Sequence, residues 1–256
     1  MGTAQVEGEL WGAKARDWAE RCEHVSVPLW RTMLEAADVR EGTRFLDLGC
    51  GSAGSSVLAR DRGAKVWGFD ASENLLEIAR ERVPDGKFRQ GEIEELPYEN
   101  EQFDVVFAAN SLQFVENKAR ALSEVKRVKA PGGKFVIGMW CEPERCEMSV
   151  VFKALMELAP PPPDASPSLA IRENLVNLIT SNGFTIRQEG EVECVFDFES
   201  VEQFVSANSS PGIIVGLSRM VGEEAVVSAM RNAAASVADS TGRVRLSNWF
   251  RWLACV

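Results

Sequence analysis

An α/β fold, a doubly wound and mostly parallel sheet with helices on both faces, is the architecture this sequence predicts. Three observations carry it. Apolar strand-like runs and amphipathic helical stretches alternate through the first 140 residues, the pattern of successive βαβ units. The first apolar run, Phe45 to Leu48, breaks into a glycine turn, Gly49-Cys50-Gly51-Ser52-Ala53-Gly54, which opens a helix at Val57-Leu58-Ala59-Arg60. The later strands end on Asp70, Glu92, Asn110 and Trp140, and open sheets of this kind bind ligands at the carboxyl ends of their strands.

The elements follow in chain order. Residues 8–37 read as two helices, since Trp11, Ala15, Trp18 and Cys22 form one stripe at helical spacing and Pro28 suits a helical first turn. The helix after the glycine turn ends near Gly63, and Lys65 to Phe69 is the second strand, finishing on Asp70. Ser72 caps a helix whose Leu75, Ile78, Ala79 and Val83 share a face. Lys87 to Gln90 and Phe103 to Ala109 are strands, and Lys118 to about Lys129 is a helix. It stops at the turn Ala130-Pro131-Gly132-Gly133, before a fifth strand from Lys134 to Trp140.

Beyond residue 140 the patterning weakens. Pro160 to Pro167 reads as an extended connector, and a helix from about Ile171 ends at Asn182-Gly183. Val192 to Phe198 and Val244 to Trp252 alternate with the period of strands that bury one face, and a helix after Gly222 carries Val226, Met230, Ala233 and Val237. One domain over residues 1–256 is expected: a helical arm (1–41), a core (42–140), and a remainder (141–256) holding the other strands and substrate-side insertions.

Composition excludes several function classes. Hydrophobic content of 45% and charged content of 26% are those of a globular chain. A net charge of −10 with no basic run argues against nucleic acid as the main partner. No segment approaches the roughly 20 apolar residues that span a bilayer, and the N-terminus lacks the pattern of a signal peptide. Six scattered cysteines and a single histidine, His24, give no metal cluster and suit a reduced, cytoplasmic setting.

The glycine turn matches the dinucleotide fingerprint G-x-G-x-x-G letter for letter, with Asp70 as the acid after the second strand. That alone fits a nicotinamide oxidoreductase. Asp47, two residues before the first glycine, places negative charge where a pyrophosphate would lie. Glu92 adds a second acceptor beyond the one acid a ribose requires, positioned for an adenine amino group.

These residues together resemble the class I S-adenosylmethionine-dependent methyltransferases over about residues 42–140. Phe45 to Gly51 looks like the first motif of that family, Gly68 to Ser72 the second, Gly91 to Tyr98 the third, Phe103 to Val106 the fourth, and Glu124 to Gly133 the segment before strand five. Ala53 stands where many members have glycine. The resemblance implies a seven-stranded Rossmann-like sheet, S-adenosyl-L-methionine as cofactor and a small-molecule methyl acceptor, in a monomer or homodimer. It further implies that Gly49 and Gly51 contact the methionine part and that Asp47 holds the turn near the amino group. Asp70, with Ala71 beside it, accepts the ribose hydroxyls. Glu92, Ile93 and Leu75 surround adenine, and Asn110 and Ser111 lie near the methyl group.

Many relatives place a histidine after the fourth strand; here the segment reads Asn110-Ser111-Leu112-Gln113-Phe114. The candidate base is therefore His24, whose ordinary pKa near 6.5 suits the role; Gln113 is a further candidate on the catalytic side, lining the acceptor pocket. Trp18, Trp140 and the Pro160–Pro167 region are candidates for lining the acceptor pocket. The missing Asn/Asp-Pro-Pro-aromatic signature argues against a nucleic-acid base or glutamine amide as acceptor. A relative that keeps the cofactor site without methylating stays open as an alternative.

Overall fold

A computed structural model describes residues 3–159 and 168–256, so the Pro160–Pro167 connector lies outside the described residues. Seven strands form one sheet in the order β3-β2-β1-β4-β5-β7-β6. They are β1 (Arg44–Leu48), β2 (Lys65–Asp70), β3 (Lys87–Gln90), β4 (Phe103–Ala109), β5 (Lys129–Trp140), β6 (Ile186–Phe198) and β7 (Val244–Cys255). The first five pair in parallel, and β7 runs antiparallel between β5 and β6. This is the doubly wound, mostly parallel seven-stranded sheet the sequence implies.

The strands β1 and β4 read as nearly continuous apolar runs because both faces of the sheet are covered. Phe45, Val105, Phe107 and Val136 point to one face. There they meet Leu29, Met33 and Leu34 of α3 (Val27–Ala36) and Ala59 of α4 (Gly54–Arg60). Leu46, Leu48, Val106 and Ile137 point to the other. There α6 (Lys118–Val128) contributes Leu122 and Val125, and α8 (Arg172–Ser181) contributes Leu175 and Ile179. Side chains alternate across a strand, so each run feeds both layers. The helix α5 (Glu73–Arg82) begins where predicted, with the Ser72 hydroxyl accepting from the Leu75 amide.

The arm differs from the two plain helices expected of residues 8–37. It comprises α1 (Ala4–Gly12), a single turn α2 (Ala15–Asp17), a π-helical turn over Trp18–Cys22, a 3₁₀ turn over Glu23–Ser26, and then α3. The π turn inserts an extra residue per turn, which shifts the tryptophan stripe and brings Glu23 inward. The predicted Ala130–Gly133 turn lies inside β5, as a register shift opposite Phe103–Val105. After β5 come α7 (Ser149–Met156), α9 (Val201–Asn208), α10 (Gly212–Val221) and α11 (Glu223–Val237). Among the described residues no helix is long and apolar enough to cross a membrane.

Candidate active site

The carboxyl ends of β1, β2 and β4 open into a cavity of about 160 Å³ whose floor is the glycine turn. Gly49 adopts φ +70°, and a Cβ there would stand 2.3 Å from that of Ser111. Only glycine satisfies both constraints. Ala53, the residue where the family motif often has glycine, also takes a left-handed conformation, φ +69°, at the start of α4. The turn is tied to β2 by the Gly49 amide, which donates to the Phe69 carbonyl at 2.7 Å.

Three acids organise this floor. Asp47 is 1% exposed, and its Oδ2 accepts from the hydroxyls of Ser55 and Ser56 at 2.6 and 2.7 Å. Burial pushes its carboxyl up to about 6, against the pull of those two hydroxyls, with the charge of Asp70 adding to the rise. Asp70 spans two loops: Oδ2 accepts from the Gly51 amide and Oδ1 from the Ser72 amide, each at 2.8 Å. Its carboxyl too is raised by burial. Glu92 accepts the Ala4 amide on Oε1 at 2.6 Å, and so caps the first turn of α1.

The arm forms the roof. Thr3, just before α1, and Ala4, Glu7 and Trp11 on one face of it line the cavity, followed by Trp18, Glu23, Ser26 and Trp30. The Thr3 hydroxyl donates to the Phe114 carbonyl at 2.7 Å. Gly8 lets the helix lie on the chain after β2, since a Cβ there would be 2.3 Å from the Ala71 carbonyl oxygen. Trp11 stands edge-on to both Trp18 and Phe114, with ring centroids 5.1 and 5.6 Å apart. Glu23, 6% exposed, accepts from the Ser52 hydroxyl and the Arg82 guanidinium. Arg82 also donates to the Ala19 carbonyl at 2.9 Å, which closes this latch between arm and turn.

Of the residues singled out in the sequence, Asp47, Gly49, Gly51, Asp70, Ala71, Leu75, Glu92, Ile93, Asn110, Ser111 and Trp18 all line this one cavity. Asn110 sits at φ +53° with its Oδ1 buried and unpaired, and the Ser111 hydroxyl donates to the Leu48 carbonyl at 2.7 Å. Three of the expected residues stand outside this lining. His24 is exposed on the 3₁₀ turn, with its ring 6.4 Å from that of Phe198, because Glu23 takes the inward position. Trp140 pairs with Phe250 across β5 and β7 and packs on Phe152 and Phe196, away from the cavity. Gln113 buries its Oε1 without a partner, while its neighbours Ser111 and Phe114 face inward. Sequence reasoning did not single out Glu7 or Glu23, and it read Trp11 as a packing residue of the helical stripe. The i, i+4 spacing of Glu7 and Trp11 is the signal that sets those two on a common face.

The sheet order, glycine floor and strand-end acids define a Rossmann-like nucleotide-binding protein. Comparisons with known proteins narrow the class. Residues 46–137 match the family model described as a methyltransferase domain. A protein of transposon TN4556 from Streptomyces fradiae is 33% identical over 162 residues, covering 61% of this chain and 43% of that protein. The demethylmenaquinone methyltransferase of Streptomyces griseus is 35% identical over 135 residues, covering 52% of this chain and 59% of that enzyme. The chain thus spans about half the length of these curated relatives. A putative methyltransferase from Bacillus halodurans shares the fold, with TM-score 0.61 at 16% identity over 88% of this chain and 97% of that one. Residues 46–137, which hold the glycine floor and the strand-end acids, thus match a methyltransferase domain, and S-adenosylmethionine is the cofactor such domains take.

The residues present fit that cofactor. Asp70 offers carboxylate oxygens at the end of β2, the turn gives close backbone approach at Gly49 and Gly51, and the orphaned Oδ1 of Asn110 awaits a donor. Among the described residues the cavity is lined by five carboxylates and by no lysine, arginine or histidine, a field that favours a cationic ligand.

Proposed function

We propose that this chain, as one methyltransferase domain, transfers the methyl group of S-adenosylmethionine to a small-molecule acceptor. The observation that carries the reading is the convergence of Asp47, Gly49, Asp70, Glu92 and Asn110 on one cavity beneath the arm. When bound, the cofactor supplies a methyl carbon activated by positive sulfur. The protein aligns the acceptor with that carbon and excludes water, and proximity supplies much of the rate.

In this reading Asp70 receives the ribose hydroxyls, while Ala71, Leu75 and Ile93 wall the adenine. Glu92 keeps Oε2 for the adenine amino group while Oε1 holds α1. Asp47 braces the turn through Ser55 and Ser56. A roofed cavity supports a small acceptor over a polymer laid in an open groove. The exposed position of His24 lends no support to it as a base, and Gln113 is not among the residues that line the cavity.

Calorimetric titration tests the reading. S-adenosylhomocysteine is expected to bind and NAD to give no heat, and the reverse result would sink the proposal. Asp70→Ala is expected to weaken S-adenosylhomocysteine by about 10- to 100-fold, the value of hydrogen bonds to a charged group. Binding without methylated product across a metabolite screen would identify a non-methylating relative.

A further inference from the structure

The floor of the cavity follows a demanding backbone path. Gly49, Gly51 and Ala53 all take left-handed φ, at +70°, +53° and +69°. For the two glycines that region is open. Ala53 carries a Cβ, which crowds the following carbonyl there, a disadvantage equal to about a tenfold shift in population. It is also fully buried. Such a residue keeps its conformation only where its surroundings over-determine it.

Those surroundings come from the arm and from the end of α5. Ser52, one residue before Ala53, is fully buried and donates its hydroxyl to Glu23. The Ser52 carbonyl accepts from Arg82 at 3.1 Å. Glu23 and Arg82 form an ion pair, and Arg82 reaches on to the Ala19 carbonyl of the arm at 2.9 Å. Gly54, one residue after Ala53, lies so near the arm that a Cβ would stand 2.5 Å from the Trp30 ring and 3.3 Å from Glu23 Oε1. Arm groups therefore grip the turn on both sides of Ala53. A buried ion pair adds little stability over apolar packing of the same size; what this one adds is a fixed path for the turn. Ser52 and Arg82 are not among the residues that line the cavity, so their effect on a ligand there passes through the backbone.

We infer that Glu23 is a positioning residue for the cofactor: with Arg82 it holds Ser52, and so keeps Gly49 to Ala53 on the left-handed path that receives the methionine end. This rests on the methyl-transfer reading above. The arm is then part of the cofactor site as well as its roof. When Glu23 leaves with the arm, Ser52 loses its hydroxyl partner, Arg82 loses its carboxylate, and Ala53 relaxes toward ordinary right-handed backbone.

Calorimetric titration with S-adenosylhomocysteine, on the native chain and on variants of the grip, tests this. Ser52→Ala keeps the ion pair and removes the side-chain tie to the turn. It is expected to weaken binding at least about tenfold, the worth of one charged hydrogen bond. Glu23→Gln is expected to weaken binding as well, and the double variant by less than the product of the two losses, because both loosen one link. Adding Ala53→Gly to Ser52→Ala is expected to recover about fivefold of the loss, since glycine keeps the left-handed path unaided. Losses that multiply in the double variant, or no recovery with Ala53→Gly, would each overturn the inference. Native affinity in Ser52→Ala would overturn it too, and a lowered melting temperature beside that affinity would mark the tie as purely structural. Failure of the native chain to bind S-adenosylhomocysteine would instead remove the cofactor reading beneath it.

Discussion

Asp47 shows how a single side chain couples the site to stability. Its carboxyl rises from 3.8 in an ordinary setting to about 6 in the folded chain, so the folded state binds its proton more tightly than the unfolded state does. The sign follows: this residue's contribution is most favourable below about pH 4 and is lost as pH rises through about 6. Asp47→Asn keeps an oxygen for the Ser55 and Ser56 hydroxyls but cannot ionise. Urea unfolding is therefore expected to show the variant gaining on the native chain by on the order of 2 kcal/mol between about pH 4 and pH 7. Parallel stability curves would refute this. The sequence made Asp47 and Asp70 legible because they stand at fixed distances from a glycine turn that only one backbone path can satisfy. It did not reveal Glu23, since the choice between Glu23 and its neighbour His24 for the inward position depends on the π turn before them. Neither propensity nor period signals that turn.

The arm is the element on which access depends. α1 roofs the cavity of about 160 Å³, so its seating governs how a nucleoside enters. It is tied by the Ala4 amide to Glu92 and by Thr3 to Phe114, and it lies on Ala71 through Gly8. Gly8→Val is expected to raise the helix, increase amide hydrogen exchange over residues 4–12 by at least about tenfold, and weaken S-adenosylhomocysteine, with the sheet unaffected. Unaltered exchange would show that α1 is not held at this point. The central strands were readable because burial on both faces makes them continuous apolar runs. The first half of β6 was not: Ile186-Arg187-Gln188-Glu189-Gly190-Glu191 lies at the sheet edge, largely exposed, and has no apolar alternation to detect. The helix α7 escaped notice because it packs within an insertion, with Val151 and Leu155 its only fully buried apolar side chains.

At the scale of the molecule, Arg251 fastens the antiparallel half of the sheet. It is 5% exposed and reaches from β7 to Glu142, just after β5, at 3.0 Å and to Glu191 of β6 at 2.7 Å. Burial alone would raise the Glu142 carboxyl, but Arg251 and backbone amides overcome it and hold the group down to about 2. Stability from this pair is present above the ordinary value of 4.5 and lost as pH falls toward 2. Arg251→Met is expected to cost about 3 kcal/mol at neutral pH by leaving two carboxylates facing each other, and to flatten the acid limb of the unfolding curve. An acid limb identical to that of the native chain would exclude this pair as its source. The sheet order carries a consequence for how the chain is made. Residues 186–198 leave the ribosome well before residues 244–255, yet they join the sheet only through them. Until β7 arrives, β5 shows a bare edge and Cys194, Phe196 and Phe198 have no strand beside them. The nascent protein must therefore wait with its nucleotide-binding half formed and its second half unseated, a stretch of synthesis in which a chaperone or a second unfinished copy could take the empty place.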